Sequence, residues 1–344
     1  GRVTINQVLS GARQGDFSRG YEYDANGNLL QVNALDPDNQ PFAGSVRTYD
    51  PANRLTSYTD EAGNTLAYGY DANGNVTSLG YPDGWTVGYE YDAGNRLSRV
   101  TDGDGRVTTY TYDRNSKITE ITLPNGTARH MTYDKGGQLL SREDVDANGN
   151  IIVGYHYTYD TTGSVQSEEI TPDPGLPAVT PHDMEFDAAN QLTKLDGTPI
   201  TYRDGNPENG PLGTLLFNAR NRLVETPTID YDYDEEDNLI GWEEKGSPRL
   251  ETRFVVNPSG RLAQILTKTA PDGTLTRYVY GIGLLYQETE GETLTMHYDH
   301  LGSTVALSSD AGLTSGRVTY DPYGKVLERM GNTDTLFLFN GLFG

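Results

Sequence analysis

The chain has 344 residues, with 49 acidic against 26 basic side chains and a formal net charge of −23. Phosphate contacts need clustered Lys and Arg, so this balance argues against nucleic-acid binding through a basic face. The sequence has no cysteine, which excludes disulfides and thiol nucleophiles, and it has no apolar run of about 18 residues that would predict a membrane-spanning helix.

One short phrase recurs along the chain: an aromatic residue, Asp, two variable residues, Gly or Asn, a polar residue and an aliphatic residue. The first copy begins at Tyr23. Five later copies follow one another at intervals of 21 residues by subtraction, beginning at Tyr49, Tyr70, Tyr91, Tyr112 and Tyr133. Repetition at a fixed period predicts a stack of similar supersecondary units.

Each phrase predicts a strand, a turn and a second strand. Another Tyr often stands two residues earlier, as with Tyr89 and Tyr91, and this spacing places both rings on one face of a strand. The fourth residue after the phrase Tyr is usually Gly or Asn, which tolerate positive φ, and the Asp can accept hydrogen bonds from turn amides. The residues predicted to define this structural repeat motif are Tyr23, Asp24, Gly27, Tyr70, Asp71, Gly74, Tyr91, Asp92, Leu97, Tyr298, Asp299, Gly302, Tyr320, Asp321 and Gly324.

The regularity of the phrase divides the chain into four segments. Residues 1–20 are expected to form an initial strand or cap, and residues 21–169 a regular repeat array. Residues 170–230 hold degenerate repeats and a Pro-rich insertion, which is expected to be an exposed loop or an interior plug. Residues 231–344 recover the pattern and stop on what reads as an incomplete repeat, so the sequence is expected to be part of a longer chain.

Several motifs together resemble the RHS/YD-repeat family. They are the iterated YDxxGN/R-L phrases and a C-terminal run of YVYG, YDHLGS and YDPYGKV before FLFNGLFG. The resemblance implies a shell in which a ribbon of β-strands spirals around a hollow centre. In bacterial relatives such a shell commonly encloses a C-terminal toxin, and in animal relatives a similar barrel belongs to adhesion receptors. The family's self-cleavage segment is not carried onto any residue of this chain.

Candidate catalytic and metal-binding residues are few. His297, Asp299, His300 and Ser303 imitate a Ser/His/Asp set, but the Asp is the phrase Asp, and the cluster falls within the repeat motif. Residues 144–150 imitate the start of a calcium loop, whose twelfth position is occupied by Tyr155 instead of an acidic ligand. We therefore expect no catalytic residue, no metal site and no cofactor. The recurrent Tyr residues are expected to pack internally rather than to bind sugars.

The sequence thus predicts an all-β protein, an antiparallel YD-repeat ribbon wound into a spiral shell or barrel segment. The favoured function is a non-enzymatic shell segment that encapsulates or carries a toxin or effector. The alternative is an extracellular adhesion or filament-forming surface protein. Expected partners are a C-terminal effector on a longer chain or neighbouring copies that pair through open sheet edges, without nucleic acid or a membrane span. The expected location is secreted or on a bacterial cell surface.

Overall fold

The computed structural model describes residues 2–6, 18–36, 38–172, 181–260, 262–321 and 323–343. In these ranges the chain forms 33 β-strands and a single 3₁₀ turn at Gly341–Phe343. The strand pairings are antiparallel, and strands neighbouring in sequence are neighbours in the sheets. The prediction of an all-β, antiparallel repeat fold is therefore confirmed.

The first sheet contains fifteen of the described strands in sequence order. Its strands are β1 (Arg2–Asn6), β2 (Ser18–Tyr23), β3 (Leu29–Leu35), β4 (Pro41–Tyr49), β5 (Leu55–Thr59), β6 (Thr65–Tyr70), β7 (Val76–Gly80), β8 (Thr86–Tyr91), β9 (Leu97–Thr101), β10 (Val107–Tyr112), β11 (Ile118–Thr122), β12 (Ala128–Tyr133), β13 (Leu139–Val145), β14 (Ile151–Tyr159) and β15 (Val165–Thr171). Phrase turns alternate with a second set of turns, so the chain runs as a meander.

Two small sheets of three strands each follow. Their strands are β16 (Met184–Phe186), β17 (Leu192–Leu195), β18 (Thr198–Pro199), β19 (Thr201–Arg203), β20 (Asn206–Gly210) and β21 (Gly213–Thr214). They occupy the stretch in which the sequence predicts degenerate repeats. The predicted Pro-rich insertion lies partly outside the described residues, because residues 173–180 are not among them. Most of the predicted initial segment, residues 7–17, also lies outside them.

The last sheet contains twelve strands, again in sequence order, among the described residues. Its strands are β22 (Leu216–Phe217), β23 (Leu223–Glu225), β24 (Ile229–Tyr233), β25 (Leu239–Glu244), β26 (Leu250–Asn257), β27 (Gln264–Thr269), β28 (Leu275–Gly281), β29 (Gly283–Thr289), β30 (Glu292–Tyr298), β31 (Thr304–Ser308), β32 (Thr314–Tyr320) and β33 (Val326–Gly331). No helix in the described part of the chain has the length and apolar character needed to cross a bilayer.

The chain divides into two compact units that each draw on separate stretches of sequence. One, called unit 1 here, comprises Gly1–Ala67, Thr180–Ser259 and Thr267–Leu275. The other, unit 2, comprises Tyr68–Val179, Gly260–Leu266 and Thr276–Gly344. The four segments predicted from the sequence remain a proposal, because they are defined by the regularity of the motif. The two units are defined differently, by the compactness of the folded chain.

Each unit has its own buried apolar residues. In unit 1 the core includes Val32, Tyr58, Leu66 and Phe254, all nearly inaccessible to solvent. In unit 2 the core is richer in tyrosine, and its largest fully buried side chains are Tyr278, Tyr286, Tyr298, Ile152, Leu266, Leu284, Met296, Leu307 and His297. Strands such as β6 alternate exposed and buried residues, as expected for strands with one face packed on a core.

Candidate functional site

The repeat turn is closed by the Asp that follows the phrase Tyr. In the turn after β8, the amide of Asp92 donates to the Arg96 carbonyl at 2.9 Å, and the amide of Asn95 donates to the Asp92 carbonyl at 2.9 Å. The Asp92 carboxylate accepts from the amides of Gly94 (2.8 Å) and Arg96 (3.0 Å). Its second oxygen accepts from the Arg96 side chain, and this bond, followed by the backbone bonds, holds the pKa of Asp92 below its usual range. Asn95 supplies the positive φ of 61°.

The other predicted motif residues occupy the same positions in their own turns. The carboxylates of Asp24, Asp71, Asp299 and Asp321 each accept hydrogen bonds from the amides two and four residues later, at 2.8 to 2.9 Å. The φ angles of the glycines are 90° at Gly27, 90° at Gly74, 89° at Gly302 and 91° at Gly324. A residue with a side chain adopts a φ near 90° only with strain, which explains why Gly stands at these four positions.

A β-bulge coincides with the phrase Tyr. The register between β8 and β9 shifts between Glu90 and Tyr91, so that Tyr91 pairs with Leu97, the aliphatic residue of its own phrase. The same shift precedes Tyr23, Tyr49, Tyr112, Tyr133, Tyr159, Tyr233, Tyr280, Tyr298 and Tyr320. Bulges increase local twist and bend a strand. The repeat therefore introduces a bend at the same position of each hairpin.

The phrase tyrosines also connect successive repeats. The Tyr91 hydroxyl donates to the carbonyl of Val76 at 3.0 Å, and Val76 is the aliphatic residue of the preceding phrase. The hydroxyl of Tyr112 likewise donates to the carbonyl of Leu97 at 2.7 Å. Bonds of this kind, at 2.6 to 3.0 Å, also join Tyr49 to Leu29, Tyr133 to Ile118, Tyr159 to Leu139, Tyr202 to Leu192, Tyr233 to Leu223, Tyr280 to Ile265, Tyr298 to Leu284 and Tyr320 to Thr304. We call this series the hydroxyl–carbonyl ladder.

A second connection runs through the polar residue of the phrase. The side-chain amide of Asn28 donates to Asn53 Oδ1 at 2.7 Å, and that of Asn75 donates to Asn95 Oδ1 at 2.6 Å. In both cases the acceptor is the positive-φ residue of the following phrase turn. These two turns are therefore closed by their own Asp and tied to the next turn by the polar side chain at the fifth position after the Tyr.

Unit 2 contains a buried charged network that the sequence did not predict. Asp144 is 1% exposed, and its two carboxylate oxygens accept from Arg129 Nε and Nη2, each at 2.7 Å. One of these oxygens also lies 2.8 Å from Nδ1 of His297, whose Nε2 lies 2.9 Å from the Ser308 hydroxyl. The side-chain amide of Asn125 donates to the same hydroxyl at 2.9 Å. We call these five residues the Asp144 network.

The protonation states in the Asp144 network follow from burial and pairing. Burial opposes the charge on Asp144, but the Arg129 and Arg142 guanidiniums outweigh it and hold its pKa well below its usual range. Burial lowers the pKa of His297, so the imidazole is neutral near pH 7. A neutral ring that donates from Nδ1 to Asp144 must accept at Nε2 from the Ser308 hydroxyl, which in turn accepts from Asn125. Every polar group in the chain of bonds is then satisfied.

In the Asp144 network, Asp144, His297 and Ser308 are hydrogen-bonded in the same order as the Asp, His and Ser of a hydrolase triad, but the serine is not accessible to solvent. Ser308 and His297 are both 0% exposed, so no external substrate reaches the hydroxyl. The residues singled out in the sequence are not brought together: the carboxylate of Asp299 binds its own turn, and His300 lies 3.3 Å from Glu168. The Ser303 hydroxyl accepts from the amide of Asn340 at 3.2 Å. The geometry therefore supports a structural role for these groups.

The candidate calcium loop is another repeat-like turn. Asp146 accepts from the amides of Asn148 and Asn150, each at 2.8 Å, and Asp144 faces Arg129. Among the residues with described positions, no group of three or more His, Asp or Glu is arranged to hold a metal ion.

Comparison with known proteins places this geometry in context. Residues 47–142 match a family model described as the Teneurin YD-shell. The tRNA3(Ser)-specific nuclease WapA of Bacillus spizizenii is 28% identical over 193 residues, which cover 53% of this chain and 8% of that protein. Double-stranded DNA deaminase toxin A of Burkholderia cenocepacia is 30% identical over 151 residues, which cover 41% of this chain and 9% of that protein.

The solved structures agree at the level of the fold. The TcdB2-TccC3 structure without its hypervariable C-terminal region matches 95% of this chain and 21% of its own, at 13% identity and a TM-score of 0.52. A second TcdB2-TccC3 structure gives 14% identity and a TM-score of 0.53. This chain therefore spans less than a tenth of the curated relatives named above and about a fifth of the solved chains. The family model and the shared fold confirm that the chain resembles RHS/YD-repeat shell proteins, and they support a structural shell.

Proposed function

We propose that this chain is a segment of a structural wall that encloses a C-terminal effector on a longer bacterial protein. The observation that carries the proposal is the hydroxyl–carbonyl ladder, because its ten bonds tie successive repeats together in addition to the strand pairing. A wall built this way resists local opening, which is the physical requirement for confining a passenger segment. The YD-shell match and the toxins among the relatives support the same proposal.

The proposed role is non-enzymatic. The groups that could act as nucleophile or base, such as Ser308 and His297, are buried and engaged in structural hydrogen bonds. The nuclease and deaminase names belong to relatives of which this chain covers less than a tenth. We therefore assign such activities to the passenger and confinement to the wall. The proposed location is secreted or on the surface of a bacterium.

A surface-adhesion role is the second candidate, and the match to a Teneurin shell model favours it. Edge strands supply a specific observation as well. Strand β15 pairs with β14, and its residues from Val165 to Glu169 are exposed. Such an edge can accept a neighbouring strand from more of the same chain or from another copy. In this case the purified protein is expected to form filaments or clusters.

Protease protection in the full-length protein tests the two candidates. One protease site is placed in the proposed effector segment, and a matched control site replaces the exposed turn at residues 161–163. We expect rapid cleavage at the control site and cleavage of the passenger only after the wall is unfolded by denaturant. Equal cleavage rates at both sites in the native protein, or a full-length protein with no passenger segment, would overturn the proposal. Filaments in electron micrographs would support adhesion instead.

A further inference from the structure

The phrase turn between β24 and β25 in unit 1 differs from the other phrase turns. Its third position is Glu235, which is 1% exposed. In eight other copies the same position is exposed, and it is occupied by Ala25, Pro51, Ala72, Ala93, Arg114, Lys135, Thr161 and His300. An acidic side chain is thus buried at a position that elsewhere faces solvent.

The Glu235 carboxyl has no adequate partner in its buried position. Neither of its oxygens has a hydrogen-bond partner. The Ser45 hydroxyl favours the ionised form of Glu235, but it donates to Glu236 Oε2 at 3.4 Å. The Arg47 guanidinium is engaged by other groups, because it pairs with Glu236 and donates to the Ser45 hydroxyl at 3.1 Å. A buried carboxylate without a partner is strongly destabilising, whereas the neutral acid is tolerated far better.

The acidic groups around Glu235 oppose its ionisation. From its own turn, Asp234 (4% exposed) and Glu236 add negative charge. In β5, burial raises the pKa of the Tyr58 hydroxyl, and these carboxylates lie close enough for their charges to raise it further. In the turn after β5, burial and the charge of Asp234 raise the pKa of Glu61.

The remaining charged groups of these elements are paired with, or act on, other acidic side chains. Besides burial, the charges of Asp60 and Asp232 raise the pKa of Glu61, and the charge of Arg253 lowers it. Arg19 of β2 is engaged by Asp237 at 2.8 Å.

We propose that protonated Glu235 locks the β24–β25 hairpin against β4 and β5, and that ionisation of this carboxyl loosens the hairpin. The contact consists of the Glu235 side chain, Ser45, Tyr58 and the adjacent Arg47–Glu236 pair. It forms a pH-sensitive seam inside unit 1 that is tight in acid and weaker above neutral pH. The seam does not depend on what the wall encloses.

The sign of the pH effect follows from the direction of the pKa shift. Burial raises the pKa of Glu235 from 4.5 to about 7; the Ser45 hydroxyl and the backbone amide of Glu235 oppose this shift, and the charges of Asp234 and Glu236 add to it. The folded hairpin therefore keeps its proton at pH values where the opened hairpin has lost it. Its stability is full below about pH 4.5 and falls as pH rises through about 7. His297 in unit 2 has the opposite effect on stability, because its lowered pKa makes unit 2 less stable as pH falls. The stability of the whole chain therefore combines both effects, and the hairpin must be measured by itself.

Amide hydrogen exchange of residues 229–244 between pH 5 and pH 8, corrected for intrinsic exchange rates, provides that measurement. We expect the opening constant of the hairpin to rise roughly 10- to 100-fold over this range, since each unit of pKa shift is a factor of ten. Glu235→Gln should reduce the rise to less than about threefold. The matched control Glu244→Gln, an exposed carboxyl at the end of β25, should keep the full rise.

A hairpin whose protection does not change with pH would overturn the proposal, as would Glu235→Gln with the same pH dependence as the unsubstituted protein. An infrared titration of protein labelled with ¹³C at the Glu carboxyls keeps the test valid if Glu235→Gln does not fold. Because the pKa of Glu61 is also raised, the titration uses Glu61→Gln, in which a protonated carboxyl band that disappears between pH 6 and pH 8 supports the seam. Absence of such a band at pH 6 excludes it.

Discussion

Removing one tyrosine hydroxyl tests whether the hydroxyl–carbonyl ladder stabilises the fold. Tyr298 is 1% exposed, and its hydroxyl donates to the Leu284 carbonyl at 2.8 Å. Tyr298→Phe keeps the ring and removes the donor. A hydrogen bond contributes about 1 kcal/mol net, and a buried group left without its partner costs about 1–3 kcal/mol. We therefore expect the free energy of unfolding to fall by about 2 kcal/mol.

Two further tyrosines bracket this effect. Tyr91 is only half-buried, so water can replace its hydroxyl at the Val76 carbonyl, and Tyr91→Phe should cost about 0.5–1 kcal/mol. Tyr323 is 79% exposed and serves as the control, because Tyr323→Phe should change the free energy by less than about 0.5 kcal/mol. The order of the three variants is therefore fixed by burial.

The assay must resolve the two units, because a chain with more than one compact unit need not unfold in one step. Urea unfolding followed by circular dichroism gives the overall change. Native-state amide exchange, read for peptides from β28 to β31, assigns it to the strands that hold Tyr298 and its acceptor. If Tyr298→Phe is no more destabilising than Tyr323→Phe, the ladder contributes nothing to stability and the reasoning is wrong.

Three other changes test the turns and the Asp144 network. Asp144→Asn leaves buried guanidiniums without a carboxylate and should lower the free energy of unfolding in urea by about 3–5 kcal/mol. Glu90→Gln is the control, because the Glu90 side chain is 69% exposed and its replacement should cost less than about 1 kcal/mol. Equal effects of the two substitutions would contradict a buried ion pair. Gly74→Ala should cost about 1–2 kcal/mol, because φ is 90° and an added Cβ meets no atom within 4 Å, so the cost is backbone strain alone; an unchanged thermal midpoint would refute this. The side-chain bond from Asn75 and the turn amides lower the pKa of Asp71. The stability that ionised Asp71 contributes is therefore present above pH 3.8 and is lost as pH falls through the lower pKa of the folded state. Asp71→Ala should remove part of the loss of stability in acid, and an unaltered dependence of stability on pH would contradict this prediction.

Much of the fold could be predicted because it is encoded locally. The phrase contains its own turn chemistry, so the strand–turn–strand unit follows from residues that are six positions apart at most. The antiparallel order then follows from short turns, since such turns join neighbouring strands. The role of the individual motif residues remains a proposal, supported by the turn bonds of Asp92 and the positive φ at Gly74.

The rest depends on which strands meet in three dimensions. The acceptor of each tyrosine hydroxyl lies in the preceding repeat, and its identity depends on the bulge, which shifts the register by one residue. The Asp144 network joins residues of β12, β13, β30 and β31, so nothing in the local spacing of Asp144 and His297 points to their contact. Glu235 reads as an ordinary variable turn residue, because its burial depends on β4 and β5.

The most direct test of the proposed wall is cryo-electron microscopy of the full-length protein that contains this chain. We predict that the sheets of this chain form part of a closed β-sheet wall, and that this wall surrounds density for an effector segment of the same protein. In Tyr298→Phe combined with Asp144→Asn, the enclosed segment should become accessible to protease. A passenger that lies outside the wall, or strands that extend into filaments with no enclosed space, would contradict the proposal.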